Sequence, residues 1–310
     1  MDATQNQKIF HRTVKVDGLD IFYREAGDPS NPAVLLMHGY PNSSFLYRRL
    51  LPALAAENYY AIAPDFPGMG YSSYPSADEF QYTFRNYANI ISSFTEKMQL
   101  EKFAIYLHDY GSLIGMRVAL MHPEKITALM FQDSNAYEEG LGKEWDACKV
   151  YWDHPTKENW DKIGDFLNEE SCRQQYLAGV PEDQQALFTP DAWTLDWNLM
   201  NRPGHIDSLY ALFKDYPDNR AMFPEFHNFF RTVQPPTLVI WGKYDAFYSV
   251  AEAPCYKRDN PDAEIHVWKQ VIKCWKATSK NWLMLFWISW IERSKAKLSF
   301  SCGYFLSGIS

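Results

Sequence analysis

Residues 103–115 read Phe103-Ala-Ile-Tyr-Leu-His-Asp109-Tyr-Gly-Ser-Leu-Ile-Gly115. The short apolar run Phe103–Leu107 predicts a buried strand, and the apolar spacing from Gly111 onward predicts a helix that ends before Pro123. A strand that passes into a helix within so few residues requires a tight turn. We therefore expect Asp109 to lie at the apex of that turn.

The turn at Asp109 has the geometry of a nucleophile elbow, with Asp in place of the usual Ser. Small residues near the apex, Gly111, Ser112 and Gly115, allow the chain to turn sharply. Such a turn exposes one side chain above the carboxyl edge of the sheet, at a helix N-terminus where the dipole favours an anion. Taken by itself, Asp109 is equally compatible with an ordinary helix N-cap.

Outward from this turn, strand patterns alternate with helix patterns. Alternation of this kind predicts an α/β fold whose mostly parallel central sheet is flanked by helices on both faces. The predicted strands are Leu19–Ala26, Ala33–Met37, Tyr59–Ala63, Phe103–Leu107, Ile126–Phe131, Thr237–Trp241 and Glu264–Val267, and a helix is predicted over Phe84–Met98.

Three regions of the chain differ in pattern. Residues 1–134 and 235–268 carry the strand patterns and are assigned to the α/β core. Between them, residues 135–234 lack strand runs and are rich in aromatic residues among helix formers, which predicts a helical cap inserted into the core. Residues 269–310 resemble neither region and are assigned to an aberrant tail that replaces the last helix.

Composition restricts the function classes. The 310 residues carry a net charge of −8 and no basic stripe, which argues against a nucleic-acid partner. The five cysteines are scattered and form no C-x-x-C pair, so reduced thiols, a cytoplasmic location and no metal site are expected. No secretory signal is evident, and the longest apolar run, Trp282–Ile291, is too short to span a bilayer. No metal or organic cofactor is implied, and the oligomeric state is left open.

Two further loops carry polar groups to the same edge of the sheet. His38-Gly39-Tyr40-Pro41 follows a buried strand, and the backbone N–H of Tyr40, together with that of Tyr110, can form an oxyanion site. Asp245 follows the strand Thr237–Trp241, which is the usual position of the acid that orients a catalytic histidine. Asp133 is a second, less favoured candidate for that acid. The alternative interpretation of Asp245 is that it is a solvated carboxylate in a loop, without a catalytic role.

These motifs resemble the aspartate-nucleophile branch of the α/β-hydrolases, which includes epoxide hydrolases and haloalkane dehalogenases. The resemblance covers about residues 8–268 and depends on His-Gly-x-Pro at 38–41, Asp-x-Pro-Gly-x-Gly-x-Ser at 65–72 and His-Asp-x-Gly at 108–111. It implies that Asp109 attacks an electrophilic carbon to form an alkyl-enzyme ester. A histidine held by Asp245 would then activate the water that hydrolyses the ester.

The resemblance also bears on the substrate, a small organic molecule of apolar to moderate polarity. Haloalkane dehalogenases commonly hold the halide with a Trp after the nucleophile and an Asn or second Trp, whereas this chain has Tyr110 and Tyr40 there. Epoxide hydrolases use cap tyrosines as acids, and Tyr216 resembles one of these by placement. Epoxide hydrolysis is therefore the favoured reaction, and dehalogenation is the alternative. For Tyr216, the alternative to an acid role is that its side chain only packs in the cap.

The tail lacks the histidine that this mechanism requires. The family pattern has Gly-His a few residues beyond the last strand, but no histidine follows His266, which itself lies within the strand pattern. Residues 269–310 hold seven Lys or Arg residues and a single acid, Glu292, unlike the acidic remainder. The chain as written is therefore expected to be inactive, and a non-catalytic small-molecule-binding protein on the same fold is the alternative function.

The genetic code suggests an origin for the tail. In a shifted reading frame, each new codon starts at the third base of the original codon. From residue 269 to residue 275, this frame permits Ala-Gly-His-x-Val-Leu-Glu, the kind of string that the family carries there. Residues 281–291 in the same shifted frame permit an amphipathic helix like the last helix of the family. We therefore interpret the tail as the product of a frame slip or a mis-spliced exon near residue 268, with genuine divergence as the alternative.

Overall fold

The computed structural model describes residues 7–164 and 166–268. An eight-stranded sheet organises them, in the order β1-β2-β4-β3-β5-β6-β7-β8. The pairs β1–β2 and β2–β4 are antiparallel, and every other neighbouring pair is parallel. The strands are β1 Phe10–Val16, β2 Leu19–Ala26, β3 Ala33–Met37, β4 Tyr60–Pro64, β5 Phe103–Asp109, β6 Ile126–Ser134, β7 Thr237–Gly242 and β8 Glu264–Trp268.

Helices cover the sheet and extend beyond it. The first three helices alternate with strands, whereas α4 to α10 all fall between β6 and β7, the interval assigned above to the cap. The helices are α1 Leu50–Ala56, α2 Phe84–Lys97, α3 Tyr110–Met121, α4 Asp146–Asp153, α5 Lys157–Ile163, α6 Glu169–Leu177, α7 Glu182–Gln185, α8 Pro190–Met200, α9 His205–Lys214, α10 Tyr216–Val233 and α11 Tyr256–Asp259.

Both faces of the central strands are buried, as their continuous apolar runs predict. Successive side chains of a strand point to opposite faces, so Ile105 and Leu107 pack with α2 and α3 in one cluster. Ala104 and Tyr106 pack with α1 in the other cluster. The predicted fold class, a mostly parallel sheet with helices on both faces, is confirmed.

The structure differs from the sequence-based expectations mainly at an edge. Strand β1 was not predicted from the sequence. Most of its residues are exposed, so it has no continuous apolar run, and it joins the sheet by pairing with β2. The tail 269–310, and with it the frame-slip interpretation, lies outside the described residues. The boundaries between core and cap stay a prediction from the sequence. No helix among residues 7–164 and 166–268 combines the length and apolarity needed to cross a membrane.

Candidate active site

Asp109 lies at the junction where β5 ends and α3 begins. Its backbone has φ of 52° and ψ of −134°, a conformation that residues other than glycine rarely adopt and that is commonly found at functional sites. The turn is close to neighbouring chain. A Cβ added at Gly111 would lie 2.4 Å from the carbonyl oxygen of Met37, and one at Gly115 would lie 2.4 Å from Cδ2 of Leu107. The two glycines singled out in the sequence, Gly111 and Gly115, are therefore required here.

The carboxylate of Asp109 receives two backbone hydrogen bonds on one oxygen. The N–H of Tyr40 donates to Oδ1 at 2.9 Å, and the N–H of Tyr110 donates to the same atom at 2.5 Å. These are the two donors that the sequence predicts for an oxyanion site. The two donors thus fix the orientation of the carboxylate at the end of β5.

The His38-Gly39 segment shapes this contact without supplying a base. His38 is fully buried, with Nδ1 3.0 Å from the carbonyl oxygen of Gly39 and Nε2 accepting the N–H of Phe66 at 3.3 Å. Both ring nitrogens are thus used by the backbone, and burial lowers the pKa of His38 below its usual value of 6.5. His38 is therefore a neutral structural residue that holds the loop after β3.

Asp65 builds the neighbouring loop. It is fully buried, its Oδ1 accepts the N–H of Ser44 at 2.6 Å, and its Oδ2 accepts the N–H of Tyr71 at 2.8 Å. A Cβ at Gly70 would lie 2.0 Å from that Oδ2, so the glycine is needed for the approach. The motif at 65–72 therefore acts as a scaffold for the loop after β4.

Two carboxylates meet Asp109 around one narrow cleft. Asp109, Asp133, Asp245 and His108 all line it. Oδ1 of Asp245 accepts the N–H groups of Phe247 and Tyr248, at 2.8 and 2.7 Å. Oδ1 of Asp133 accepts the N–H of Gly242 at 2.9 Å. The sheet edge thus brings together the predicted nucleophile and both candidate orienting acids.

All eight histidines of the chain are among the described residues. His108 precedes Asp109 in β5, and its Nδ1 lies 3.0 Å from the carbonyl oxygen of Gln132. His266 lies in β8, as the strand pattern predicts, with Nε2 2.8 Å from Oε1 of Glu264. His227 bonds to the carbonyl oxygen of Ala136 at 2.9 Å. Each of these three imidazoles thus has one ring nitrogen engaged by a neighbour within the fold.

A cavity of about 610 Å³ adjoins Asp109. Its walls combine apolar and aromatic side chains such as Trp145, Ile163, Phe213 and Phe247 with a few polar ones. This volume and lining are typical of sites for small organic ligands. The indole donor of Trp145 is already used, because its Nε1 donates to the carbonyl oxygen of Phe247 at 2.5 Å.

Tyr216, the predicted cap acid, begins α10 and is fully buried. Its ring stacks on Trp152, with centroids 4.7 Å apart and planes 2° from parallel. Its hydroxyl donates to Oδ1 of Asn135 at 2.9 Å. Burial, followed by the neighbouring Tyr110 and Asp109, raises the pKa of Tyr216 well above 10. Its phenol is thus protonated at neutral pH, and its proton is directed to Asn135.

Tyr248 is a site residue that sequence reasoning missed. It lines both the cavity and the narrow cleft, and it is 2% exposed. The signal that could have found it is its spacing, since Asp245-Ala-Phe-Tyr248 places a phenol three residues after the candidate acid in the same loop.

The comparisons with known proteins agree with this architecture. The family model for the alpha/beta hydrolase fold matches residues 32–270. The chain belongs to the α/β-hydrolase family. It is 38% identical over 256 residues to the uncharacterized hydrolase YNR064C of Saccharomyces cerevisiae, an alignment that covers 81% of this chain and 86% of that protein.

Other members of the α/β-hydrolase family are similar over shorter stretches or in fold alone. A haloalkane dehalogenase of Mycobacterium marinum is 38% identical over 114 residues, which cover 36% of this chain and 37% of that protein. The solved structure of the epoxide hydrolase CorEH superposes with a TM-score of 0.71 at 16% identity, over 92% of this chain and 99% of that chain. This chain is thus a hydrolase by family, with epoxide hydrolase and haloalkane dehalogenase neighbours.

Proposed function

We propose that this α/β-hydrolase forms an alkyl ester on Asp109 with a small epoxide, and that the chain as written lacks the base that would hydrolyse the ester. The observation that carries the proposal is the carboxylate of Asp109, whose Oδ1 is held by two N–H groups at the edge of an apolar cavity. A carboxylate that two backbone donors orient in this way is suited to nucleophilic attack on carbon.

The second half of the reaction needs a base. In the proposed mechanism an imidazole held by Asp245 removes a proton from water, and the water attacks the ester carbonyl. The N–H groups of Tyr40 and Tyr110 would then stabilise the oxyanion that forms on Oδ1. The chain has Asp245 at the end of β7 but no histidine after His266. Ester formation without release is the expected behaviour.

Epoxides are favoured over alkyl halides by the donors near Asp109. N–H donors speed the departure of a halide, yet Nε1 of Trp145 donates to the carbonyl oxygen of Phe247. Nδ2 of Asn42 donates to Tyr176 and Asp196, at 3.0 and 2.8 Å. The phenols of Tyr40, Tyr110 and Tyr248 line the same cavity as Asp109, and a phenol can protonate an epoxide oxygen. Alkyl halides stay the second candidate because the haloalkane dehalogenase of M. marinum shares 38% identity over part of the chain.

The test is covalent mass analysis of the protein with styrene oxide. We expect at most about one adduct per chain, because an ester without a general base is not released. The adduct should map to the peptide that contains Asp109, and Asp109→Asn should remove it. Reversible binding without an adduct would instead identify a binding protein, and multiple turnovers would mean that another group serves as the base.

A frame-corrected version tests the complete cycle. It carries the shifted-frame sequence from residue 269, which permits a histidine at position 271. We expect it to release diol over many turnovers. In H₂¹⁸O, a single turnover should label the Asp109 carboxylate, because water attacks the ester carbonyl. Label that enters only the product in the first turnover would exclude Asp109 as the nucleophile.

A further inference from the structure

Two buried tyrosines from different parts of the fold lie beside Asp109. Tyr216 starts α10, and Tyr248 lies in the loop after β7. Burial, and after it the charge of Asp109, raises the pKa of Tyr248 well above its usual value of 10.0. Both phenols therefore keep their protons at neutral pH, and either could in principle give one to an oxygen that develops charge next to Asp109.

The proton of Tyr216 already has an acceptor. Its hydroxyl donates to Oδ1 of Asn135 at 2.9 Å. Asn135 is fixed in that orientation because its Nδ2 donates to Oε2 of Glu252 at 2.8 Å and to the carbonyl oxygen of Tyr137 at 2.8 Å. With both amide hydrogens used, Asn135 offers its oxygen to Tyr216. The hydroxyl oxygen of Tyr216, by contrast, can accept a proton from a neighbour.

The hydroxyl of Tyr248 is in the opposite situation. It is buried and makes no hydrogen bond of normal geometry with any residue in the ranges 7–164 and 166–268. The Tyr216 hydroxyl lies near enough to influence its pKa, but without the geometry of a formed bond. A buried hydroxyl without a partner lowers the stability of the fold, because it loses its bonds to water and gains none in exchange. Such a group calls for an explanation, and a catalytic role is one.

The loop holds Tyr248 by its backbone. Its N–H donates to Oδ1 of Asp245 at 2.7 Å, and its carbonyl oxygen accepts Nε1 of Trp241 at 3.1 Å. The Trp145 ring packs against its phenol, with centroids 5.9 Å apart and planes at 29°. The position of Tyr248 relative to Asp109 is thus set mainly by the sheet and the loop after β7.

We infer that Tyr248, in the core, is the residue that protonates the substrate oxygen, and that Tyr216, whose proton is directed to Asn135, does not. This inference rests on the proposed function. Oδ2 of Asp109 forms a bond to one ring carbon, and the carbon–oxygen bond breaks with its electron pair on the oxygen. The Tyr248 hydroxyl transfers its proton to that oxygen. Because its pKa is far above neutral, the resulting phenolate regains a proton from water, and the hydroxide produced is taken up by the buffer.

The experiment compares two electrophiles on the full chain as written. Styrene oxide requires protonation of its leaving oxygen, whereas 1-iodobutane releases iodide, which needs no proton. The rate of adduct formation is measured by intact mass for the wild type and for Tyr248→Phe, Tyr216→Phe and Tyr87→Phe. Tyr87 is a buried tyrosine in α2 whose hydroxyl donates to the carbonyl oxygen of Pro67, and it serves as the control.

Tyr248→Phe should slow the reaction with styrene oxide by about 10²-fold, the usual effect of losing one such donor, and leave the reaction with 1-iodobutane unchanged. Its melting temperature should not fall, because the hydroxyl removed has no partner. Tyr216→Phe should change both rates alike, and Tyr87→Phe neither. Selective loss of the epoxide reaction in Tyr216→Phe, or equal rates for Tyr248→Phe and wild type, overturns the inference. No adduct with either reagent in the wild type removes the proposed function itself.

Discussion

Gly39 and Asp109 are in such close contact that a Cβ on Gly39 would lie 2.2 Å from both Cβ and Oδ1 of Asp109. The loop after β3 therefore reaches the Asp109 carboxylate only because position 39 has no side chain. This contact allows the N–H of Tyr40 to donate to the carboxylate.

Gly39→Ala should displace the Asp109 carboxylate or the Tyr40 N–H. A misplacement of about 1 Å at a reacting group can cost on the order of 10²-fold in rate, so adduct formation with styrene oxide should fall by about that factor. The matched control is Gly142→Ala, where a Cβ would lie an ordinary 3.4 Å from Cβ of Ser249. Adduct rates and melting temperatures of both variants decide the matter, and a fully reactive Gly39→Ala would mean that the Asp109–Tyr40 contact is dispensable.

Asp245→Asn in the frame-corrected version should separate the two chemical steps. Asn keeps an oxygen that can accept the N–H groups of Phe247 and Tyr248, so the loop should retain its shape. The variant loses the negative charge that would hold the histidine. Ester formation should be normal, while hydrolysis slows by on the order of 10²-fold or more, so that the ester accumulates in the mass spectrum.

Asp133→Asn is the control for that experiment, because Asp133 lines the same cleft as Asp245. Like Asp245, Asp133 accepts a backbone N–H on its Oδ1, here that of Gly242. We expect little ester to accumulate in this variant. Accumulation in Asp133→Asn, with normal release in Asp245→Asn, would assign the orienting role to Asp133.

Glu252 should make the stability of the protein depend on pH. Burial raises the pKa of its carboxyl from 4.5 to about 8, although Ala136, Asn135 and Tyr256 all donate to it. Between these two values the folded state holds a proton that the unfolded state releases. The free energy of unfolding should therefore fall as pH rises through this window, by up to about 1.4 kcal/mol per unit.

Urea unfolding at pH 5, 6, 7 and 8 measures that slope. Glu252→Gln cannot ionise, so its slope should be smaller than that of the wild type, whatever the variant does to stability at any one pH. Equal slopes in the two proteins would show that Glu252 ionises normally in the folded state.

The sequence predicts the central strands well because their signal is local. The bounds of β2 and β3 agree with the expected Leu19–Ala26 and Ala33–Met37. The predicted β5 ended at Leu107, two residues before its observed end at Asp109. Burial on both faces makes each central strand a continuous apolar run, which can be recognised without knowledge of its neighbours. Strand β1 lacks this signal, since it is an edge strand whose residues are largely exposed.

The candidate site was predictable only in part, because tertiary contacts decide the rest. The meeting of Tyr40 and Tyr110 at Asp109 follows from the motifs, since loops after neighbouring parallel strands reach the same edge. The partner of Tyr216 does not follow, because Asn135 lies 81 residues away in the chain. Tyr248 was missed for the same reason, since its burial depends on Trp145 and Trp241.

The two donors that hold Asp109 come from adjacent strands of the sheet. Tyr40 follows β3 and Tyr110 follows β5, and these strands pair in register from Ala33 with Phe103 to Met37 with Leu107. The separation of the donors is thus set by the ladder between two buried strands, whereas much of the cavity wall comes from helices inserted between β6 and β7. Substitutions among those helices can reshape what the cavity accepts without altering how the carboxylate is held, so the range of accepted molecules and the geometry of the carboxylate can evolve separately in this fold.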